Sequence, residues 1–350
     1  MLHLLFGRFR LLPVLLALAL PLSGWSANTL RVLAWPGYAD PDLVRVFEQR
    51  TGSKVEVTVI DSDETLWQRV SANKGDDFDV FAVNTAELQR YIDQAWVVPI
   101  DTAKLPNVAN QLLRFRTLKN IPGITRGGKV FAIPYTYSEM GLIYDRQQIK
   151  EAPTSISALW DPQYRGKVLM HNSGTHNFSL AAQSLKDASP FHLDETEWPS
   201  TVNQLIALRR NVLGFYALPD ESVDLFRRKH AALMLANYGS QQLQLLKAAG
   251  ADVGYVIPKE GALAWLDCWV ITRGAKDTTL ASAWINYFLE PAPSAALLAR
   301  QGLANTISPS PHLRAEDHLK WLEPVENVDR RNKLWERILA GDSARKVLAP

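Results

Sequence analysis

Residues 30–60 have the sequence LRVLAWPGYADPDLVRVFEQRTGSKVEVTVI, in which a β pattern, a helical pattern and a second β pattern follow one another. Residues 30–35 and 54–60 are rich in alternating or β-branched apolar side chains, which predicts two strands. Between them, Asp40 and Pro41 are typical of the first positions of a helix. A strand–helix–strand order with helices of about ten residues is typical of a parallel β-sheet, so this stretch predicts an α/β fold.

The same alternation continues along the chain in two blocks. We predict further helices at 62–73, 84–94, 177–186, 195–211 and 240–249, further strands at 79–83, 130–137, 141–144, 167–171 and 263–271, and a short apolar run at 231–236. The strands at 130–137 and 141–144 lie between the blocks, and we expect them to cross from one α/β lobe to the other. A length of 350 residues agrees with two domains.

Composition excludes several classes of protein. Hydrophobic residues make up 47% of the chain and charged residues 21%, which excludes a disordered or collagen-like protein. A formal charge of +2 is too small to indicate nucleic-acid binding. Cys268 is the single cysteine, so an intramolecular disulfide is impossible. No segment has 18 consecutive apolar residues, so we expect no membrane-spanning helix.

The first 26 residues have the pattern of a secretory signal peptide. Arg8 and Arg10 precede an apolar run at 11–22, and small residues follow up to Ser26. We expect cleavage after Ser26, because cleavage one residue later would place Trp25 at position −3; a retained N-terminal anchor is the alternative. The segment holds two of the 38 basic residues and none of the 36 acidic ones, so the mature chain would be formally neutral. Without a cysteine for lipid attachment, we expect a soluble periplasmic protein.

The sequence does not favour an enzyme. It contains no G-x-S-x-G, P-loop, G-x-G-x-x-G or H-E-x-x-H motif. His171 and His176 are close in sequence, but two imidazoles without a nearby carboxylate do not predict a metal site. Cys268 lies in an apolar run without a neighbouring histidine. We therefore expect no catalytic activity, no metal and no cofactor.

One charged residue interrupts the predicted strand at 263–271. Strand alternation places Asp267 on the same face as Trp265 and Trp269. A buried carboxylate is costly unless a partner compensates its charge. A ligand ammonium would do so, and the indoles would add cation–π attraction. The alternative is that Asp267 accepts backbone N–H groups or pairs with an arginine elsewhere.

Three turns follow predicted strands, where open α/β sheets bind ligands. Trp35 and Tyr38 follow the first strand, and Asn84 and Thr85 follow the third. The small polar turn at 172–177 precedes a helix, whose free N–H groups would suit a carboxylate. Ordinary loop packing and helix capping are the alternative interpretations of these turns.

The chain resembles bacterial spermidine/putrescine-binding proteins through most of its predicted mature length. The matching motifs are LRVLAWxxY at 30–38, FExxTGxKV at 47–55, DET at 63–65, FDV at 78–80, IPY at 133–135, LWDPxYxGK at 159–167, PKEG at 258–261 and WxD at 265–267. The resemblance implies the α/β fold of a type II periplasmic binding protein, with two α/β lobes joined by crossing hinge strands near 135–137, Ala264 and Thr306. It assigns 27–136 plus 265–306 to lobe 1 and 137–264 plus 307–350, including the C-terminal helices, to lobe 2.

The resemblance also implies a ligand site. The residues that we expect to bind the ligand are Trp35, Tyr38, Asn84, Thr85, Tyr135, Ser173, His176, Tyr238, Trp265 and Asp267. The chain departs from the polyamine pattern in four places: Gly37 replaces an acid, 84–86 lacks a tyrosine, the second-lobe turn at 173–176 lacks two acids, and Ala236 replaces a tryptophan, with Tyr238 before 239–240. Asp267 would then be the only carboxylate that grips the ligand, unless Asp220, Glu221 or Glu139 supplies another.

These departures lead to a specific expectation about the ligand. A site with an acid at one end and a neutral, donor-rich turn at the other suits an ω-amino acid such as 4-aminobutyrate or 5-aminovalerate, with an aminophosphonate as an alternative. We expect a monomeric substrate-binding component of an ATP-binding-cassette importer of the polyamine type, which closes on a small amine and delivers it to an inner-membrane permease. The alternative is a periplasmic ligand-delivery or sensory protein without a role in transport.

Overall fold

A computed structural model describes residues 28–314 and 316–349. The predicted signal peptide at 1–26 lies outside these ranges. Within them, none of the helices has the length and apolar composition needed to cross a membrane.

The described residues form fifteen strands and twelve α-helices. The strands are β1 (Thr29–Ala34), β2 (Lys54–Val59), β3 (Val80–Asn84), β4 (Val97–Val98), β5 (Thr125–Arg126), β6 (Lys129–Val130), β7 (Ala132–Glu139), β8 (Leu142–Asp145), β9 (Val168–His171), β10 (Val212–Tyr216), β11 (Leu233–Leu235), β12 (Val253–Val256), β13 (Ala262–Thr272), β14 (Ala304–Asn305) and β15 (Leu319–Trp321). The helices are α1 (Pro41–Thr51), α2 (Asp63–Ala72), α3 (Thr85–Asp93), α4 (Leu113–Arg116), α5 (Gly174–Ser184), α6 (Trp198–Arg209), α7 (Pro219–Arg228), α8 (Gly239–Ala248), α9 (Thr278–Phe288), α10 (Pro291–Gln301), α11 (Val328–Leu339) and α12 (Ala344–Val347).

The fold is built on two mixed sheets. The five strands β2-β1-β3-β13-β7 of the first sheet correspond in position to β10-β9-β11-β8-β12 of the second. The first sheet has the order β2-β1-β3-β13-β7-β14, with β4 and β15 also paired to β13. The second has the order β10-β9-β11-β8-β12. Strand β13 is antiparallel to its neighbours β3 and β7, and β8 is antiparallel to its neighbours β11 and β12. This arrangement confirms the predicted α/β fold with two sheets.

The chain passes twice between the sheets next to the central strands. It leaves the first sheet after β7 and enters the second at β8, and it returns between β12 and β13. The predicted lobe boundaries at 136 and 265 fall inside paired strands, in the second half of β7, before the first passage, and near the start of β13, after the second. They remain a prediction about which residues move together. At the C-terminal end, α11 packs against α5 and α6, while β15 pairs with β13.

Two local features differ from the sequence-based expectation. Helix α5 begins at Gly174 rather than at 177, because the Ser173 side chain accepts a hydrogen bond from the His176 N–H and caps the helix earlier. Residues 212–228 form β10 and α7, which periodicity did not predict. Gly214 interrupts the apolar pattern of β10, and the register with β9 shifts there.

Candidate functional site

A cavity of about 540 Å³ lies between the two sheets and is lined by turns from both. Eight of the ten predicted ligand residues line it, namely Trp35, Tyr38, Asn84, Ser173, His176, Tyr238, Trp265 and Asp267. The cavity therefore brings together most of the site that the sequence predicted, and its chemistry depends on which of these side chains are already satisfied by protein partners.

Thr85 and Tyr135 do not line the cavity. Tyr135 lies behind Tyr38, with ring centroids 5.4 Å apart, and its hydroxyl donates a 3.3 Å hydrogen bond to the Tyr38 carbonyl oxygen. Thr85 is the first residue of α3 and is buried; its hydroxyl lies 3.5 Å from the Leu322 carbonyl oxygen. Both residues support the wall of the cavity rather than form it.

Asp267 lies in the cavity wall and is only 6% exposed. The Tyr38 hydroxyl donates a 2.6 Å hydrogen bond to its Oδ2 atom. This is the only hydrogen bond to its carboxylate within 28–314 and 316–349, and no basic side chain of those ranges pairs with it. Burial raises the pKa of Asp267 to about 7, and the Tyr38 hydrogen bond opposes that rise. A carboxylate with so little compensation inside the protein is suited to an external cation.

The two tryptophans beside Asp267 have different surroundings. Trp265 lines the cavity, and its indole N–H donates a 2.9 Å hydrogen bond to the Asn237 carbonyl oxygen in the loop after β11. Trp269 is completely buried and packs between Tyr135 and Trp284 in the core. The prediction that the indoles of Trp265 and Trp269 both face the ligand beside Asp267 is therefore wrong for Trp269. The register between β13 and β7 shifts immediately after Asp267, which breaks the strict alternation on which that expectation depended.

The wall from the second sheet is aromatic and uncharged. The His171 and His176 rings are stacked with centroids 6.1 Å apart, and Tyr238 meets His171 edge-on at 5.8 Å. Burial lowers the pKa of His171 to about 3 and that of His176 to about 4, so both imidazoles are neutral at pH 7. The His176 Nδ1 atom lies 3.2 Å from Oδ1 of Asn237. No cluster of three potential metal ligands occurs in the described part of the chain.

Further carboxylates line the same cavity, and sequence reasoning missed them. They are Asp61, Asp63, Glu64, Glu87 and Glu336, while Arg90 is the only arginine or lysine in the lining that the structure describes. Asp267 is therefore not the only acid of the cavity, whereas its role as the only carboxylate that grips the ligand stays a prediction. The first two acids follow β2, and the convergence of strand ends at one edge of a parallel sheet was the signal that could have identified them.

The acids that the sequence offered as alternatives lie elsewhere. Glu221 accepts a 2.8 Å hydrogen bond from the Ala217 N–H at the start of α7, and neither it nor Asp220 lines the cavity. Glu139 is completely buried beside Tyr255, whose hydroxyl lies 3.2 Å from its Oε1 atom. Four of the five additional acids thus lie beside the first sheet, and Glu336 lies on α11.

Comparison with known proteins identifies the family. Residues 42–317 match the family described as bacterial extracellular solute-binding protein, and the chain belongs to this family. It is 28% identical over 319 residues to the spermidine/putrescine-binding periplasmic protein of Escherichia coli K12, covering 90% of this chain and 86% of that protein. It is 28% identical over 283 residues to the putrescine-binding periplasmic protein PotF of the same organism, covering 75% of this chain and 74% of that one.

A solved structure shows the same fold. The putative spermidine/putrescine ABC transporter from Listeria monocytogenes superimposes with a TM-score of 0.77 at 22% identity, covering 90% of this chain and all of that one. The fold predicted from the resemblance, that of a type II periplasmic binding protein, is thereby confirmed.

Proposed function

We propose that this solute-binding protein is the periplasmic substrate-binding component of an ATP-binding-cassette importer, and that it captures a small organic amine between its two lobes. The observation that carries the proposal is the charge of the cavity: six carboxylates line it against one arginine. A cavity of that charge attracts a cation and repels an anion. The relatives named for spermidine and putrescine bind ligands of this chemical class, which supports the assignment.

In this proposal Asp267 holds an ammonium group of the ligand. Tyr38 orients the carboxylate, and the indole rings of Trp35 and Trp265 flank the alkyl chain and add cation–π attraction. Ser173, His176 and Tyr238 form the opposite wall, which would meet the ligand when the lobes close. The bodies that move are 27–136 plus 265–306 and 137–264 plus 307–350.

A second candidate ligand is an ω-amino acid such as 4-aminobutyrate or 5-aminovalerate, with an aminophosphonate as a variant. The N-terminus of α5 favours it, because Gly174 and Thr175 line the cavity and their N–H groups have no acceptor inside the helix. Such groups bind carboxylates or phosphonates. The ligand would then bind with its ammonium at Asp267 and its anionic end at α5.

A thermal-shift panel on the mature chain tests the proposal and separates the two ligand classes. The compounds are putrescine, spermidine, 4-aminobutyrate, 5-aminovalerate and 2-aminoethylphosphonate. Stabilisation by at least one of them at micromolar concentration is expected, and stabilisation by none would contradict an amine receptor. Stabilisation by diamines alone would exclude the second candidate.

The cellular part of the proposal is tested separately. We propose an exported monomer without a lipid anchor that delivers its ligand to an inner-membrane permease and performs no catalysis. Sequencing the N-terminus of the protein from a periplasmic extract should find cleavage after Ser26. Uptake of the labelled ligand should fail when the chain is deleted; normal uptake with a lost chemotactic response would favour the sensory alternative.

A further inference from the structure

We infer that Asn237 is a specificity-determining residue on the second-lobe wall of the cavity, where its side-chain amide donates a hydrogen bond to an oxygen of the ligand. The preferred ligand is then an amine that also carries a carboxyl or amide oxygen. The inference rests on the proposed function, since the ammonium group still binds Asp267. It favours the second candidate ligand and extends it to neutral amides.

The first step is that Asn237 has an unused hydrogen-bond donor. The residue follows β11 and lines the cavity, although only 5% of it is exposed. Its Oδ1 atom lies 3.2 Å from Nδ1 of His176. Its Nδ2 atom has no hydrogen-bond partner among the residues that the structure describes, and protein atoms do not fully enclose it. A donor with so little access to water is costly to leave unpaired, and an acceptor on the ligand would satisfy it.

The second step is that the protein fixes the position of this donor. The Asn237 carbonyl oxygen accepts a 2.9 Å hydrogen bond from the Trp265 indole, and the Asn237 N–H donates a 3.0 Å hydrogen bond to the Tyr216 hydroxyl. The contact with His176 holds the side chain in addition. A donor that is fixed in this way discriminates between ligands, because a ligand without an acceptor leaves it unpaired.

The third step is the position of Asn237 relative to Asp267. Trp265 and Asp267 are two residues apart on β13, and both line the cavity. Residues with this spacing lie on the same face of a strand, about 7 Å apart. Because the Trp265 indole bonds directly to Asn237, a short ligand with its ammonium at Asp267 can reach the Asn237 amide with its other end.

The surroundings of Asn237 favour an acceptor over a second ammonium group. Burial lowers the pKa of His176 to about 4, so its ring is uncharged at pH 7. In the same first turn of α5, the N–H groups of Gly174 and Thr175 have no acceptor within the described ranges. Glu336, the acid that α11 adds to the lining, is exposed. A carboxyl or amide oxygen therefore finds several donors on this wall, whereas an ammonium group is itself a donor and cannot pair with them.

Four amines with the same four-carbon chain test the inference. Butylamine, putrescine, 4-aminobutanamide and 4-aminobutyrate end in a methyl group, a second amine, a neutral amide and a carboxylate. In calorimetric titrations at pH 8, the tighter of the last two should bind more than about tenfold tighter than butylamine, and also tighter than putrescine. The order of the last two distinguishes a neutral from a charged acceptor.

Two substitutions of Asn237 locate the effect. Asn237→Ala removes the side-chain donor and keeps the backbone hydrogen bonds to Trp265 and Tyr216. It should weaken the preferred acceptor ligand by at least about tenfold and butylamine by less than about threefold. Asn237→Asp replaces the donor with an acidic oxygen, so putrescine should then bind tighter than either acceptor ligand.

A matched control separates the local donor from a general change in charge. Asn203 is an exposed residue of α6 outside the cavity, so Asn203→Asp adds the same charge as Asn237→Asp without touching the site. It should leave each affinity within about twofold of the wild type. Circular dichroism and thermal unfolding of each variant check the fold.

The contrary outcomes are distinct. No advantage of the acceptor ligands over butylamine, tighter binding of putrescine than of both, or equal losses for butylamine and the acceptor ligand in Asn237→Ala would each overturn the role of Asn237 while leaving an amine receptor in place. Failure of all four amines, and of spermidine, to bind the wild type would overturn the proposed function itself.

Discussion

Tyr38 donates a 2.6 Å hydrogen bond to Asp267, although the two residues are 229 positions apart in the sequence. Tyr38 is itself fixed from behind by Tyr135, whose ring and hydroxyl both contact it. Among residues 28–314 and 316–349, Tyr38 alone donates to the buried carboxylate, and the core thus holds this donor in place before any ligand arrives. A site that is preorganised in this way loses little conformational entropy when it binds.

Asp267→Asn should separate binding from stability. The substitution removes the charge that would hold an ammonium, so amine affinity should fall by well over about tenfold. It also removes a buried carboxylate that lacks an ion pair, so the unliganded variant should unfold at a higher temperature than the wild type at pH 8. Calorimetric titration and thermal unfolding measure the two effects. Binding like that of the wild type would contradict the assignment of Asp267.

Tyr38→Phe should weaken binding through the pKa of Asp267. Without the phenol donor that pKa rises further, and the carboxylate loses its orientation. A hydrogen bond to a charged group contributes about 1.5–3 kcal/mol, so affinity should fall about ten- to a hundredfold. Tyr135→Phe is the matched control, because it removes only the 3.3 Å bond to the Tyr38 backbone. Equal losses in the two variants would show that the Tyr38 hydroxyl has no special role.

Amine binding should weaken as the pH falls below about 7. Burial raises the pKa of Asp267 to about 7 and raises that of Asp63 as well, with Glu87 and Asp267 adding to the second rise. Protonation of Asp267 removes the charge that would hold the ammonium, and protonation of Asp63 lowers the negative charge of the cavity. Titrations from pH 8.5 to 5.5 should show falling affinity, with proton release on binding near pH 7. Affinity that increases toward pH 5.5 would contradict this account.

The stability of the unliganded protein should change with pH in the opposite direction. The pKa of Asp267 in the folded state lies above its ordinary value of 3.8, so the folded state binds more protons than the unfolded state between about pH 4 and 7. The contribution of this residue to the free energy of unfolding therefore increases as the pH falls through that window. Urea unfolding at pH 5.5 and 7.5 measures it, and Asp267→Asn should reduce the difference between the two values.

Arg331 should be far more important for stability than its neighbour Arg330. The Arg331 side chain is completely buried, and it donates to Glu326, to the Thr175 carbonyl oxygen and to the Ser179 hydroxyl, thereby joining α11 to α5. Arg331→Met should lower the free energy of unfolding by about 3–5 kcal/mol, since it breaks a largely buried ion pair and leaves partners unsatisfied.

Arg330→Met provides the matched comparison. Arg330 is about a third exposed and pairs with the exposed Glu195. Such surface ion pairs contribute about 0–1 kcal/mol, so Arg330→Met should lower the free energy of unfolding by no more than about 1 kcal/mol. Urea unfolding of both variants measures the two free energies of unfolding. Similar decreases in Arg331→Met and Arg330→Met would show that the buried hydrogen bonds of Arg331 are not what stabilises α5.

Asp267 could be identified from the sequence because its charge conflicts with its surroundings. A carboxylate in the middle of an apolar strand has no ordinary structural explanation, whereas periodicity alone predicted most of the strands and helices around it. The turns at Trp35, Asn84 and Ser173 were also predictable, since ligand sites in α/β proteins follow the ends of strands.

Asp63 could not be identified in the same way because its position has an ordinary explanation. Acids in the first turn of a helix stabilise the helix dipole, and α2 begins with such acids. Only the pairing of β13 with β3 brings Asp267 and Asn84 together, and only the Asn84 amide joins Asp63 to them. The different surroundings of Trp269 likewise depend on a register shift that no local pattern reveals.

Strand β13 carries Asp267 between two hydrogen-bonded neighbours, and all eleven of its residues are buried. A carboxylate on a surface loop could swing into solvent when its partner leaves, but this one is held where it is. The vacant receptor can neutralise it only by taking a proton or a cation from the medium. Tris and other amine buffers are then competing occupants, so a truly ligand-free reference state requires an amine-free buffer.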